Sequence, residues 1–427
     1  MNKGSLLPEG YIPRLIDKKL SESLDLFGAV EVAGTMWCGK TWTSMAYGES
    51  ISRLGTTAVR TTAESDPSTA LIGKQPHVID EWQDVPEIWD EVRATVDLEA
   101  GRPGQFILTG SSSPNKDKVH HSGAGRIKKL RMSTMTLSEM DKSNCSVSLS
   151  GLFNGEFSPQ LIQQKLAPIA DFICYGGWPG LAGKTISNPK PFIDSYLSAI
   201  FEVSIPRKGM DGHLARKIMQ SLARNLGGSI TVSTLAADCG LEGKHDIVSK
   251  YLSVLEDYYL IEPLYGWDAP IKSKSRLRTK PKYYFADPSI GADLLRATSE
   301  RIIDNGQLFG VLFESLCIHD LTVYASLLPD ADTDYPLKYY KDADGLEVDA
   351  VIELTDGRWA AFEIKLGENK IEEAAYSLNR LKNKILLNPA ARNREPEFMA
   401  VIVGAGEYAR FDKDKGVYVI PITSLGA

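Results

Sequence analysis

Residues 34–42 read Gly-Thr-Met-Trp-Cys-Gly-Lys-Thr-Trp. Within them Gly34, Gly39, Lys40 and Thr41 keep the spacing G-x-x-x-x-G-K-[ST] of a phosphate-binding loop. No other stretch restricts the fold as sharply. Such a loop works only where a buried strand hands over to a helix whose N-terminus faces an anion. The flanks supply both. Residues 28–33 are short and mostly apolar with two valines, and residues 41–53 read as a helix. Glycines let backbone N–H groups point inward at phosphate oxygens. Lys40 is expected on the β- and γ-phosphates and the Thr41 hydroxyl on Mg²⁺. Trp37, Cys38 and Trp42, inside or just after the loop, join Gly34, Gly39, Lys40 and Thr41 as candidate ATP contacts.

A metal on that hydroxyl needs a carboxylate at the end of a neighbouring strand. His77-Val-Ile-Asp-Glu-Trp82 ends an apolar stub in two. Asp80 is the expected Mg²⁺ partner and Glu81 the expected base for an attacking water. Phe106-Ile-Leu108 is another apolar strand with Thr109, Ser111 and Ser112 at its tip, where Ser111 could hydrogen-bond the water or the γ-phosphate. Arg126 and Arg131 follow. An arginine here would stabilise transition-state charge, in its own chain or in a neighbouring subunit of a homo-oligomer. Arg126 is taken as the candidate. His120 and His121 are adjacent, a spacing that rarely ligates one ion, and read as solvated loop residues.

A net charge of −7 over 427 residues excludes a general basic field that would draw the whole protein to nucleic acid or an anionic membrane. Any such partner must use a local patch. Lys272, Lys274, Arg276, Arg278, Lys280 and Lys282 recur at every second position. On a strand they would share one face, a candidate nucleic-acid surface whose phosphate contacts release counterions. A solvated loop between domains would carry the same residues. The five cysteines are scattered without C-x-x-C spacing, which argues against a structural zinc or a disulfide framework and for the reducing cytoplasm. The N-terminus has no sustained apolar core for export. No apolar run approaches the roughly 20 residues of a membrane span, so no membrane partner is expected.

Residues 175–183 hold four glycines and a proline, a tight turn in which Trp178 packs between elements. Residues 230–267 follow a short helix capped by Thr231 or Ser233, a turn at Cys239-Gly-Leu241, a second helix and a strand. That is the order of a winged helix, either a nucleic-acid reader exposing Lys244, His245, Ser249 and Lys250 or a lid and protein interface. Residues 344–367 then read as two strands joined at Thr355-Asp-Gly357. Asp349 falls on the first; Glu363 and Lys365, two apart, share one face of the second. Two carboxylates and a lysine suit a metal-dependent hydrolase, with the carboxylates on Mg²⁺ and the lysine on the water. Glu314, on an apolar helix expected over 308–321, would add a third metal-binding carboxylate. An exposed hairpin with a salt bridge fits any one of these carboxylates too. Asp349 faces Glu363 only across an odd-numbered loop or a bulge, so a loop of three or five residues is predicted. A two-residue Asp-Gly turn would oppose Asp349 to Ile364.

The expected fold class is α/β in several parts. Residues 1–150 form a P-loop, parallel-sheet ATPase domain, 151–205 a helical lid or linker, 206–270 a winged-helix-like segment, and 271–427 a restriction-endonuclease-like α/β domain. With these motifs in hand, the chain resembles a widespread prokaryotic family of predicted ATPases that join an AAA+-like P-loop domain to a C-terminal domain of unknown function, DUF4143. The resemblance covers almost the whole chain. It rests on 34–41, on Val78 to Arg93, on Gly104 to Pro114, on 120–132, on Tyr175 to Leu181, on Lys282 to Ala292, and on the 346–354 and 361–367 strands. It implies ATP and Mg²⁺ as cofactors, Gly34, Gly39, Lys40, Thr41 and Asp80 as nucleotide contacts, and Glu81 as base. It also implies Asp349, Glu363 and Lys365 as a nuclease-like triad. The expected function is ATP binding and hydrolysis that controls a nucleic-acid-binding, Mg²⁺-dependent nuclease domain. The alternative is a regulatory ATPase switch acting on a protein partner through a catalytically silent nuclease-like domain.

Overall fold

The computed structural model describes residues 4–113, 119–184, 186, 188–270, 279–332, 334–391 and 395–427. They divide into two compact units. One holds the chain up to Met135 with Trp178–Gly180 and Leu255–Leu260; the other holds Thr136–Gly177, Leu181–Val254 and Ile261–Ala427.

The first unit is built on five parallel strands: β1 (Ala29–Ala33), β2 (Ser50–Arg53), β3 (His77–Asp80), β4 (Phe106–Gly110) and β5 (Ile127–Arg131), in spatial order β2-β3-β4-β1-β5. β1 and β4 are buried at every residue. Helices cover both faces, which is why these strands read as apolar runs and not as alternating patterns. Ala29 packs with Ile88, Val92 and Val96 on one face, and Val30 and Val32 with Leu20, Leu24 and Tyr47 on the other. Parallel pairing brings all C-terminal ends to one edge. Ala33 lies beside Gly110 and Arg131, and Asp80 beside Thr109. The helix expected over 41–53 is shorter: Lys40–Met45 is helical and Ser50–Arg53 is β2. Gly48 lies between them, where an added Cβ would come within 2.5 Å of the Val78 side chain. The chain passes so close to β3 there that it leaves the helix and joins the sheet.

In the second unit β6 (Val147–Ser148) pairs with a short strand near the C-terminus. Nine strands form one mixed sheet: β7 (Gln160–Gln164), β8 (Ile261–Trp267), β9 (Lys282–Phe285), β10 (Lys338–Lys341), β11 (Glu347–Glu353), β12 (Trp359–Lys365), β13 (Phe398–Val403), β14 (Gly406–Asp412) and β15 (Val417–Pro421). Their order is β7-β14-β15-β13-β12-β11-β10-β8-β9, and β16 (Leu425–Gly426) is the partner of β6. The Ile371–Leu387 helix lays Ala374, Leu378 and Leu381 over Trp359, Ala361 and Val401. The Gly306–Ser326 helix packs against β9 and β12. Against the expectation that no apolar run approaches the length of a membrane span, it is long and apolar enough to cross a membrane by length and composition alone, with Glu314 and Asp320 within it. Its most apolar stretch is 67% buried inside the protein.

The β11–β12 register pairs Ala350 with Phe362 and Val351 with Ala361, which continues to Asp349 opposite Glu363. Leu354 N–H donates to the Arg358 carbonyl at 2.8 Å, leaving the three residues Thr355-Asp-Gly357 as the turn. Gly357 takes φ +91°, a conformation that glycine adopts freely. The odd-numbered turn is thus present. Upstream, Thr231 caps the Val232–Asp238 helix by accepting from Thr234 N–H at 3.0 Å, and the His245–Asp257 helix follows. The strand after it is β8, which pairs with β9 and β10 and so belongs to the large sheet.

Candidate functional site

At the edge where the parallel strands end, β1 runs into the loop at 34–39. An added Cβ on Gly34 would sit 2.0 Å from the Met132 carbonyl oxygen, so only glycine fits. Gly39 adopts φ +103° and opens the Lys40–Met45 helix. Trp37, at φ +66°, holds a left-handed conformation that is uncommon without glycine. Lys40 is buried, and its ammonium donates to the Thr35 carbonyl at 2.9 Å. The cation therefore rests on its own loop. Cys38 turns its thiol into the core, 3.5 Å from the Met132 carbonyl, which leaves its backbone to the loop. Trp37 and Trp42 are 40% and 49% exposed. They line a cleft of about 700 Å³ with Gly39, Lys40, Thr41 and Glu81. Tyr11, Ile12, Arg14, Pro179 and Gly180 also border the cleft. No motif in the sequence points to them.

The expected metal and water residues converge on this edge. Thr41 Oγ1 and Thr109 Oγ1 each donate to Asp80 Oδ1 at 2.7 Å, tying the end of β3 to the loop helix and to β4. Glu81 leaves β3 with φ +60°, a conformation a larger residue keeps only when its surroundings hold it. They do: its N–H donates to Thr109 Oγ1 at 3.1 Å, and its Oε2 accepts from Gln83 Nε2 at 2.5 Å and Ser111 Oγ at 2.7 Å. Gln83 was not foreseen, because a glutamine one turn past the strand has no pattern of its own. The donor set fits Mg²⁺ and ATP: a hydroxyl and a carboxylate already share a proton bridge, a lysine stands on a replaceable carbonyl, and the glycine loop is open to the cleft.

Two expectations fail on geometry. Arg126 precedes β5, so its carbonyl accepts from Ala29 N–H at the N-terminal edge of the sheet, opposite the loop. Its guanidinium pairs with Asp97 at 2.7 Å. Within one chain it does not join the site. Arg131, at the C-terminal end of β5, lies on the loop's edge, over the Tyr259 ring at 5.2 Å. Lys282 does not extend an exposed basic face. It is 1% exposed, 2.6 Å from Glu347 and 3.7 Å from Glu314, with the Tyr339 ring 5.1 Å away. Burial depresses its basicity, but Glu314 and Glu347 more than offset that and hold its ammonium above the ordinary lysine range. Lys272, Lys274, Arg276 and Arg278 lie outside the described residues, and Lys280 is exposed.

The β11–β12 hairpin does bring Asp349, Glu363 and Lys365 together. Ile364 N–H donates to Asp349 Oδ2 at 2.8 Å, and Lys365 Nζ lies 2.5 Å from Glu363 Oε2 and 3.4 Å from Asp349 Oδ2. Burial, and then the Asp349 charge, push the Glu363 carboxyl up to about 8. Glu314 takes the Tyr284 hydroxyl at 2.5 Å; burial and Asp349 push it up to about 7. The expected three-carboxylate metal site of Glu314, Asp349 and Glu363 is not formed. Among the described residues no three His, Cys, Asp or Glu side chains group closely enough to hold an ion. An ammonium stands between Asp349 and Glu363, and Lys282 with Tyr284 claims Glu314.

Parallel strands ending in a glycine loop, with a lysine, a hydroxyl and two carboxylates at their tips, define the first unit as a P-loop domain of the ATPase type. Three family models match separate stretches of the chain. Residues 28–141 match the AAA domain model, 309–425 match a domain of unknown function, DUF4143, and 167–301 match a second such domain, DUF8612. The chain therefore carries both domains of the family it resembles, an AAA domain ahead of a DUF4143 domain. Two uncharacterized mycobacterial proteins, one from Mycobacterium bovis and one from Mycobacterium tuberculosis, are each 25% identical over 356 residues, spanning 81% of this chain and 72% of theirs. Among solved structures, a Walker-type ATPase of Pyrococcus abyssi aligns at TM-score 0.41 and 13% identity, over 69% of this chain and 98% of its own. The RuvB Holliday junction branch migration motor of Thermotoga maritima aligns at TM-score 0.30 and 19% identity, over 60% of this chain and 92% of its own. At those scores neither alignment carries an argument.

Proposed function

We propose that this protein binds and hydrolyses ATP, and that nucleotide state controls what its second unit binds. The observation that carries the reading is the pair of hydroxyls, Thr41 and Thr109, on Asp80 with Glu81 next in the chain. Lys40 exchanges the Thr35 carbonyl for phosphate oxygens, a gain because a charged acceptor outbids a neutral one. Thr41 and Asp80 would hold Mg²⁺, which when bound neutralises phosphate charge. Glu81 takes the proton of the attacking water, with Gln83 and Ser111 fixing its carboxylate. Trp37 and Trp42 offer ring faces to the base. Arg126 would serve only a neighbouring subunit, and turnover per chain would then rise with protein concentration.

For the second unit, binding is favoured over cleavage, because the one ammonium of Lys365 already lies on both Asp349 and Glu363. Nucleic acid is the partner class, through the basic run at 272–280 and the helix-turn-helix order of 232–257, read as winged-helix-like. A nuclease of the restriction type remains the second reading, on the shared face of Asp349, Glu363 and Lys365. The test is incubation with labelled single- and double-stranded DNA and RNA, Mg²⁺ or Mn²⁺, with and without ATP, beside Lys365→Ala. Salt-sensitive binding without cleavage supports the proposal. Cleavage lost in Lys365→Ala makes the second unit a nuclease. Neither binding nor cleavage turns the reading to a switch on a protein partner.

A further inference from the structure

Arg14 is buried, 7% exposed, at the border of the nucleotide cleft, and no motif assigns it a task. Its Nη1 donates to the Cys38 carbonyl at 2.7 Å and its Nη2 to the Ser133 carbonyl at 2.9 Å. The first acceptor lies inside the phosphate loop; the second lies just past β5. One rigid guanidinium therefore ties the loop to the sheet scaffold by two bonds at once.

The consequence follows from peptide geometry. A trans peptide is planar, and its carbonyl and the next residue's N–H point to opposite sides. The carbonyl of Cys38 and the N–H of Gly39 belong to one such plane. Holding that carbonyl toward Arg14 turns the Gly39 N–H the other way. Gly39 lines the cleft, and its φ of +103° is the bend that brings the loop into the helix. A loop of this kind binds phosphate through such amides. Lys40 makes a useful contrast. It grips Thr35 by one flexible arm and can let go, whereas Arg14 grips two carbonyls through a fork and keeps the frame fixed.

We infer that Arg14 is a positioning residue: it sets the Gly39 amide toward the phosphates of a bound nucleotide and makes no contact with them itself. This rests on the nucleotide reading above. Removing the fork frees the Cys38–Gly39 peptide to rotate, so ground-state phosphate binding weakens while the water and its base, on Asp80 and Glu81, stay in place.

The test compares wild type, Arg14→Lys and Arg14→Ala in steady-state ATP hydrolysis, with thermal melting as the control for folding. KM for ATP is expected to rise roughly ten- to a hundred-fold in Arg14→Ala, the range of a lost charged hydrogen bond. The kcat value is expected to stay within about three-fold. Arg14→Lys keeps the charge but reaches one carbonyl, and falls between. If Arg14→Ala does not fold, Arg14→Lys decides alone. An unchanged KM in Arg14→Lys overturns the inference, as does a fall in kcat at constant KM. Wild type that neither binds nor hydrolyses ATP sinks the nucleotide reading and this inference with it.

Discussion

At the phosphate loop the cations rest on backbone carbonyls, Lys40 on Thr35 and Arg14 on Cys38 and Ser133. In the β11–β12 hairpin they rest on carboxylates, Lys365 between Asp349 and Glu363, and Lys282 near Glu314 and Glu347. A carbonyl is a neutral acceptor that an incoming phosphate displaces. A buried carboxyl group that already rests on an ammonium is satisfied within the protein, and removing its cation leaves it unpaired where burial penalises it. On the proposed reading the first site receives an anion; the second already holds its own counter-charges. Both carry a recognisable set of residue types. The partners that those residues already have separate a site awaiting a ligand from one that is internally settled.

The largest expected effect breaks the first half of that comparison. Glu81→Gln keeps the shape but loses the base, so turnover should fall by roughly 10²–10⁴-fold. ATP binding should persist, which single-turnover and equilibrium measurements separate. Next, Lys282→Ala would take the ammonium from Glu314 and one of two from Glu347, which keeps Lys341 at 2.8 Å. Its cost should be on the order of 3 kcal/mol, read as a lower urea midpoint. A neutral result would mean that the lysine is not what balances the second centre.

The smallest effect sharpens the second half and concerns pH. Burial holds the Glu363 carboxyl up at about 8, from an ordinary value of 4.5. The folded chain keeps a proton that the unfolded chain has released, so stability falls as pH rises from about 4.5 to about 8 and then levels off. Glu314, pushed up to about 7, adds to the same slope over the lower part of that window. Glu363→Gln should remove most of that slope between pH 5 and pH 8, checked by melting at both.

The loop, Asp80 and Glu81 were legible because each is a short string whose strand ends at the residue that matters. The register of Asp349 against Glu363 was legible because a parity argument on one turn fixes it, and Thr355-Asp-Gly357 obeys it. Other features depend on which elements meet. Arg14 lies 24 residues from Cys38 and 119 from Ser133, so no local pattern announces the fork. Arg126 and Arg131 look alike in sequence, but β5 runs between them and sends them to opposite edges of the sheet. Of the alternating basic residues Lys282 is the one placed on a described strand, the first residue of β9. Alternation could not say that its face turns inward onto Glu314 and Glu347.

The central claim is that the loop at 34–41 holds ATP through Lys40. Titration of wild type and Lys40→Ala with ATP and Mg²⁺, read by the fluorescence of the exposed Trp37 and Trp42, tests it most directly. Wild type should bind. Lys40→Ala should keep its fold and lose roughly a hundred-fold in affinity, the upper range for one charged hydrogen-bonding group. Equal affinity in the two proteins would contradict the assignment of the loop.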